Sequence, residues 1–387
     1  MDTKAIVAVA AIAVVVIAGV AVFMMNTDQD SDRQLEDMFG NEFTLKDEVK
    51  KSVIESGAAL RFTSYMGDSA MGTIAGSSFD PANKNAGSTS YSYANFPESY
   101  TYLTKINSAN AEKIIEINPD IVIIGCSKSK LSDDQIKLID TLKAAGIPSC
   151  VVRYVDDVTD ADFEKQVRLM GEIFGCQSRA AELLDGIKAI LSDLSGRISS
   201  MSETKNVYVG GVAFMGTKGF LWSNVAYGGL LYLDPLKVSN VAKTLVPSAT
   251  YQAECSFEMI YEFEKNNTID LAILDVAGYD MTKADYASNT SAYKAVSAIR
   301  DGNFYYVLPQ TSSGTLHDNT MIASYSIGKI VDSKDFGSVD LVKKSKEIYS
   351  LFLGSEKAGE KAYNGIAAYV NGITGDASLF GHVGFAA

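Results

Sequence analysis

Apolar and polar positions along the chain predict two α/β units. Short apolar runs typical of buried strands alternate with segments of helical period, the pattern of parallel sheets covered by helices. The strand-like runs are 121–125, 147–154, 206–212, 269–275 and 303–308. Between the two groups, leucine and isoleucine recur every three or four residues over 178–200 without a proline. This period predicts one helix of about 35 Å, which either joins the two units or covers one of them.

The N-terminal region differs from the rest of the chain. Residues 5–25 carry no charge and are long enough to span a bilayer, so they predict a transmembrane anchor behind a cytoplasmic stub, residues 1–4. Lys4 precedes the run and acidic residues follow it, and this positive-inside bias favours a single-pass anchor in the cell membrane with the main domain outside. A cleaved signal segment is the alternative, and no cysteine follows to carry a lipid. Residues 26–57 predict a polar tether with a short helix over 45–55.

A short repeat indicates that the two units are similar lobes. Glu112 begins a helical segment that leads through a turn to Asp120 and an apolar strand, and Glu258 begins another that leads to Asp270 and a strand. Glycine and serine crowd 67–95, which predicts irregular loop. The predicted parts are an N-terminal lobe over 58–160, a linker helix region over 161–202, a C-terminal lobe over 203–335 and C-terminal helices over 336–387.

Composition and charge narrow the function. Apolar residues make up 47% of the 387 residues and charged residues 21%, which is enough for cores in both units. The net charge of −13 argues against nucleic acid as a partner, because the surface repels phosphates. The two histidines, His317 and His382, are too few for a three-histidine metal site, and the four cysteines show no CxxC spacing. Hydrolase, phosphate-loop and dinucleotide-binding motifs are missing, so we expect no catalytic residue, no bound metal, no cofactor and no enzyme.

Three segments carry a resemblance to a known family. They are the helix–turn–strand stretch 111–124 with its Pro-Asp, the stretch 291–309, and the stretch 323–329. In this order, together with the long helix, the chain resembles the helix-linked (class III) substrate-binding proteins of ABC importers for iron–siderophore and cobalamin-type ligands. The resemblance implies an α/β fold of two similar lobes with mainly parallel sheets, joined by one long linker helix, behind the N-terminal transmembrane helix. The chain departs from the family pattern over residues 66–100.

The resemblance also implies a function. The protein would capture a metal chelate in a cleft between its lobes and deliver it to a membrane permease with ATPase subunits. We expect a ferric siderophore first, then cobalamin or another corrinoid, then haem. A molybdate- or tungstate-type oxyanion is an alternative cargo, because backbone N–H groups can bind it without a sequence signature. An anchored surface sensor or adhesin that keeps the fold is the alternative from another class.

The resemblance assigns docking to the permease to one glutamate in each lobe. Family members use such a pair to engage arginines of the permease, and the matching positions here are Glu112 and Glu258. The local alternative is that each carboxylate stabilises the first turn of its own helix through the helix dipole.

Six side chains are candidates for the ligand cleft. Trp222 and Tyr227 lie in glycine-bearing segments after a predicted strand of the second lobe, where an aromatic face could stack on a flat chelate. Tyr91 and Tyr93 lie in a Ser-Tyr-Ser-Tyr loop of the first lobe. The others are Arg153, which could pair with an anionic chelate, and His317, in a polar loop after the last strand. The alternatives are core packing, an exposed loop, a surface ion pair and a helix cap.

Overall fold

The structure is a computed structural model that describes residues 32–83, 87–127, 129–212, 219–225, 230–233, 237–249 and 252–386. Its strands are β1 (Arg33–Glu36), β2 (Glu42–Leu45), β3 (Ser52–Glu55), β4 (Ile74–Ser77), β5 (Thr101–Tyr102), β6 (Ile121–Cys126), β7 (Ser149–Arg153), β8 (Lys205–Gly210), β9 (Trp222–Asn224), β10 (Val238–Asn240), β11 (Gln252–Glu254), β12 (Leu271–Asp275), β13 (Phe304–Val307) and β14 (Gly381–His382).

The α-helices follow the same order along the chain. They are α1 (Gly57–Tyr65), α2 (Asp68–Met71), α3 (Ala111–Ile117), α4 (Asp133–Ala144), α5 (Ala161–Ile173), α6 (Gln177–Ser199), α7 (Val241–Leu245), α8 (Phe257–Glu264), α9 (Tyr279–Ala295), α10 (Ser297–Arg300), α11 (His317–Val331), α12 (Ser333–Phe336), α13 (Leu341–Leu353) and α14 (Glu356–Thr374). Short 3-10 turns occur at Ser90–Tyr93, Ser108–Asn110, Val276–Gly278 and Gly384–Ala386.

Two sheets form the frame of the molecule, and we call the parts around them the first and second lobes. The first sheet has five parallel strands in the order β5-β4-β3-β6-β7. The second has the order β11-β9-β8-β12-β13-β14, with β10 also paired to β8. Its parallel part, β10-β8-β12-β13, repeats the order β4-β3-β6-β7 of the first sheet. The predicted α/β architecture with mainly parallel sheets is therefore confirmed.

The repeated aspartates hold equivalent strands together in both lobes. The Asp120 carboxylate accepts hydrogen bonds from the backbone N–H groups of Lys50 and Lys51, just before β3, both at 2.8 Å. In the second lobe the Asp270 carboxylate accepts one from the N–H of Asn206 in β8, at 2.7 Å. Each aspartate thus fixes the start of a strand beside the one that it precedes.

The long predicted helix is present as α6, with 23 residues. It follows the first sheet and precedes the second in the chain, and it packs against α5, α11 and α13. Contact with α13 is close at Gly186, where a Cβ atom would lie 2.4 Å from a methyl carbon of Leu351. The helix is therefore a packed connector between the lobes.

The segment before the first lobe differs from the predicted tether. Residues 33–45 form a hairpin of β1 and β2, and the predicted helix over 45–55 is wrong, since β3 occupies Ser52–Glu55. The fully buried Asp37 accepts hydrogen bonds from the N–H groups of Phe39, Asn41 and Val151. Because Val151 belongs to β7, this carboxylate attaches the hairpin to an edge strand of the first sheet.

Two further predictions are corrected or completed. The stretch predicted as irregular loop over 67–95 contains α2, β4 and a 3-10 turn. The four cysteines are free thiols. The predicted span over 5–25 lies outside the described residues, and none of the helices within the described ranges is long and apolar enough to cross a membrane.

Candidate functional site

The carboxyl ends of the two parallel sheets meet through a small loop. The loop follows β13, is closed by a bridge between Thr311 and Thr315, and we call it the 311–315 loop. A Cβ atom on its Gly314 would lie 3.2 Å from the ring of Tyr154, which directly follows β7 in the first lobe. Ligands of open α/β sheets bind outside the carboxyl ends of the strands, so this contact marks the candidate site.

Arg61 of α1 attaches the 311–315 loop to the first lobe. Its guanidinium is 1% exposed and donates hydrogen bonds to the backbone carbonyls of Ser313 and Thr315. The Asp156 carboxylate accepts a bond from the Thr315 hydroxyl at 2.8 Å. These bonds satisfy backbone groups that burial between the lobes would otherwise leave without partners. We call this set of contacts the lobe junction.

The lobe junction continues into the first turn of α11. Asp318 accepts a hydrogen bond from the Ser90 hydroxyl, and the Asn319 amide donates to the backbone carbonyl of Ser88 at 3.1 Å. Asn319 also accepts from the Tyr349 hydroxyl of α13 at 2.8 Å. All these groups are buried or nearly so. The start of α11 is therefore held by polar contacts with the first lobe and with the C-terminal helices.

His317 lies in the core rather than at a free surface. Its ring is fully buried, with Nδ1 2.9 Å from the Tyr65 hydroxyl and Nε2 2.7 Å from the Val155 carbonyl. Burial, together with the nearby Arg61 charge, lowers the pKa of His317 to about 3, although the hydrogen bond to Val155 opposes the change. A neutral ring that donates through Nε2 and accepts at Nδ1 fits both contacts. The ring has no nitrogen left for a ligand, so the expected ligand contact is corrected to a structural role.

Two serines at the site have strained backbones. Ser56, before α1, has φ 79°, and Ser313, in the 311–315 loop, has φ 51°. Residues other than glycine and asparagine rarely adopt positive φ angles. Backbone strain of this kind clusters at functional sites. Gly57, which follows Ser56, is in close contact with the second serine. A Cβ atom on Gly57 would lie 2.9 Å from the Ser313 hydroxyl and 3.1 Å from the Tyr91 hydroxyl.

A carboxyl group with a raised pKa lies at the carboxyl end of β3. Glu55 accepts a hydrogen bond from the N–H of Gly125 at 3.0 Å. Burial raises the pKa of Glu55 to about 7, although this hydrogen bond opposes the change. In the second lobe, burial likewise raises the pKa of Asp275 to about 7 at the end of β12, where it accepts from the N–H of Gln310 at 2.9 Å.

The predicted first-lobe residues lie in different surroundings. Tyr91 is fully buried beside Gly57, at the candidate site. Tyr93 instead donates to the Gly87 carbonyl at 3.0 Å and packs its ring on Gly365 of α14. Arg153 forms an ion pair with Asp162 at 2.9 Å, which matches the alternative role of a surface ion pair. The structure therefore places only Tyr91 of these three at the meeting point of the lobes.

The predicted second-lobe aromatics are only partly described. Trp222 is half-buried at the start of β9, and its backbone pairs in register with Glu254 of β11. The backbone N–H of Trp222 donates to the Gly219 carbonyl at 2.9 Å. Tyr227 lies outside the described residues.

Both predicted docking glutamates are exposed in the first turns of equivalent helices. Glu112 lies in α3, which precedes β6, and Glu258 lies in α8, which precedes β12. Local hydrogen bonds to its own N–H and to the Ser256 hydroxyl lower the pKa of Glu258. An exposed carboxylate therefore stands at the same structural position in each lobe.

Sequence reasoning missed Arg61, Ser56, Gly57, Tyr154 and Ser313. Arg61 and Ser313 lie 252 residues apart, so no local pattern could join them. A usable signal was the Ser-Gly pair directly after a strand and before a helix, which marks a turn at a carboxyl edge.

Solved periplasmic binding proteins share this architecture. A periplasmic solute binding protein from Veillonella parvula DSM 2008 has a TM-score of 0.60 at 18% identity, covering 84% of this chain and 93% of that one. MolA, the molybdate periplasmic binding protein of a Haemophilus influenzae ABC transporter, has a TM-score of 0.60 at 15% identity, covering 84% and 98%. At these identities the likeness shows the fold, that of a two-lobed binding protein.

The chain belongs to the periplasmic binding protein family, whose sequence model matches residues 70–311. A curated relative from Bacillus subtilis (strain 168), the uncharacterized ABC transporter substrate-binding lipoprotein YvrC, is 25% identical over 181 residues. That match covers 45% of this chain and 51% of the relative, so the chain spans about half the length of the curated relative it matches. The predicted resemblance is confirmed, and the family consists of binding proteins rather than enzymes.

The predicted location is corrected by the same comparison. The relative is described as a lipoprotein, which contradicts a single-pass helical anchor as the expected attachment. We therefore withdraw the single-pass anchor and the external location that was inferred from it.

Proposed function

We propose that the protein is the substrate-binding component of an ABC importer. It captures a metal chelate, a ferric siderophore before a corrinoid or haem, and presents it to a permease with its ATPase subunits. The observation that carries this proposal is the lobe junction, because it brings the carboxyl ends of two parallel sheets together around one site. Family membership and the description of the curated relative support it.

A small oxyanion is the second candidate cargo. MolA, which has a similar fold, is described as bound to molybdate. Backbone N–H groups bind such anions, and α1 begins at the candidate site. A metal chelate and a small oxyanion differ in size and shape, so a direct binding measurement distinguishes these two candidate cargoes.

The first test is thermal and calorimetric titration of the full chain. The probes are ferric siderophores, corrinoids, haem, molybdate and tungstate. A cargo present at about 100 times its dissociation constant should raise the free energy of unfolding by about 2.7 kcal/mol. We expect one class of probe to do so. A well-folded sample that responds to none of them would contradict the importer proposal and favour a surface sensor or adhesin.

Docking by the paired glutamates is tested by separating binding from uptake. In cells carrying the importer, the double variant Glu112→Ala with Glu258→Ala should reduce uptake of the identified cargo at least tenfold. Binding of that cargo by the purified protein should be unchanged, because both side chains are exposed outside the candidate site. Uptake by the double variant at the normal rate would overturn the docking role.

A matched control keeps the same change in charge on the same two helices. Glu116 of α3 and Glu262 of α8 are also exposed, one turn further along. The double variant Glu116→Ala with Glu262→Ala should import at the normal rate. If it lost uptake as well, the effect would come from net charge rather than from the predicted positions.

A further inference from the structure

We propose that the amino end of α1, together with the hydroxyl of Tyr91, binds a negatively charged oxygen group of the cargo. This inference rests on the proposed function and specifies which chemical group the site recognises. The oxygen group belongs either to a free oxyanion or to an anionic chelate.

Two backbone N–H groups at the start of α1 are available for such a ligand. The helix has nine residues, and its positive end lies at the carboxyl edge of the first sheet. The N–H of Ala59 is taken by the Ser56 hydroxyl at 3.4 Å, and that of Leu60 by the Ser56 carbonyl at 3.1 Å. Within the described part of the chain, the N–H groups of Gly57 and Ala58 have no acceptor.

The Tyr91 hydroxyl is a second, independent observation that points to a ligand. It is buried, with the residue 1% exposed, and no described group meets it at hydrogen-bond geometry. The Ser312 and Thr89 side chains lie near enough to lower its pKa, which partly offsets the effect of burial. The Tyr91 hydroxyl approaches the position of a Cβ atom on Gly57 to 3.1 Å. Burial raises the pKa of Tyr91, so the hydroxyl keeps its proton and can donate it. A buried donor without an acceptor lowers the stability of the folded chain, and an anionic oxygen would remove that cost.

The charge around this position favours an anion. Arg61, one turn along α1, is buried and bonded to backbone carbonyls, and no ion pair of the described residues includes it. Three carboxyl groups lie around the site. Asp156 is bonded to Thr315 of the 311–315 loop, and burial raises the pKa of Asp318 and raises that of Glu55 to about 7. Asp318 and Glu55 are therefore easier to protonate than an ordinary carboxyl group.

Glycine at position 57 lets the first-lobe donors lie close to Ser313 of the second lobe. A Cβ atom on Gly57 would fill the space between the Tyr91 and Ser313 hydroxyls. Ser313 is exposed at the tip of the 311–315 loop, in the second lobe. An anionic oxygen at this point would contact first-lobe donors directly below the second-lobe loop, so its binding would depend on both lobes.

The test compares four probes by calorimetry on the full chain. Molybdate is the free oxyanion and ferric enterobactin the anionic chelate, whereas ferrichrome and ferrioxamine E are neutral. We expect an anionic probe to bind, and Tyr91→Phe to weaken its binding at least tenfold without lowering the melting temperature. Gly57→Ala should weaken the same probe, because the added methyl group occupies the ligand's place.

A tyrosine elsewhere provides the matched control. Tyr306 is equally buried, but its hydroxyl bonds to Asp376 at 3.1 Å, far along the chain from α1. Tyr306→Phe should therefore lower the melting temperature and leave the dissociation constant unchanged within twofold. This is the reverse of the pattern expected for Tyr91→Phe.

The outcomes separate this inference from the proposed function. Loss of molybdate binding in Tyr91→Phe would identify a free oxyanion, and loss of ferric enterobactin binding an anionic chelate. Binding of only neutral probes, or anionic binding that Tyr91→Phe and Gly57→Ala leave unchanged, would overturn the inference and leave the binding protein intact. A folded sample that binds none of the four would overturn the inference, and failure across the wider set of probes would overturn the proposed function too.

Discussion

Replacing His317 by glutamine should remove an acid-sensitive part of the protein's stability. The pKa of His317 is about 3 in the folded chain, below the ordinary 6.5, so between these values the unfolded chain binds the extra proton. The stabilisation from the neutral ring is present above pH 6.5 and is lost as the pH falls toward 3. At 1.36 kcal/mol per unit, the loss is about 3 kcal/mol between pH 7 and pH 4.5. The readout is urea unfolding at several pH values.

The result must be taken as a difference between wild type and His317→Gln. Glu55 and Asp275 have folded pKa values raised to about 7, so their contribution changes in the opposite sense and increases stability as the pH falls from 7 to 4. Both proteins carry these groups, and the difference cancels them. The exposed His382 gives a matched substitution at the surface, and His382→Gln is measured in the same way. Parallel profiles for wild type and His317→Gln would contradict a buried neutral ring.

Arg61→Met should destabilise the protein by about 2 kcal/mol. The substitution leaves the buried carbonyl of Thr315 without its donor, at about 1–3 kcal/mol, and removes the hydrogen bond to the carbonyl of the exposed Ser313. Removal of a buried charge offsets part of this cost. Denaturant unfolding should therefore show a lower midpoint, and hydrogen exchange should be faster in the 311–315 loop than in β6.

An exposed arginine provides the comparison for Arg61. Among the described residues Arg300 forms its ion pair with its neighbour Asp301, at 2.8 Å, and Arg300→Met should leave the unfolding midpoint unchanged. Equal midpoints for Arg61→Met and wild type would show that the 311–315 loop is held by packing alone. The junction would then not be the element that keeps the lobes together.

The fold was largely predictable because its signals are local. The strands β6, β8, β12 and β13 are short apolar runs that stay buried on both faces, and α6 keeps its apolar period for 23 residues. The paired Asp120 and Asp270 indicated equivalent positions in two lobes, and they do hold equivalent strands.

The site was less predictable because its contacts are distant in sequence. Ser52–Glu55 contains only two apolar residues and looked like part of a polar segment, yet it is a central strand of the first sheet. Because β3 was not predicted, nothing in the sequence indicated that Ser56 and Gly57 lie at the carboxyl edge of a sheet. His317 was expected in a polar loop, but the aromatic rings of Phe62, Phe163 and Tyr65 surround it.

The two ends of the described chain close equivalent edges of the two sheets. The hairpin at 33–45 is bonded to β7 through Asp37 and Met38, and β14 pairs with β13 near the C-terminus. A bare edge strand is a template for further strands, and natural proteins cover such edges to avoid aggregation. Loss of either end by proteolysis would therefore do more than shorten the chain. It would leave an unpaired edge strand on one lobe, through which the molecule would pair with its own copies.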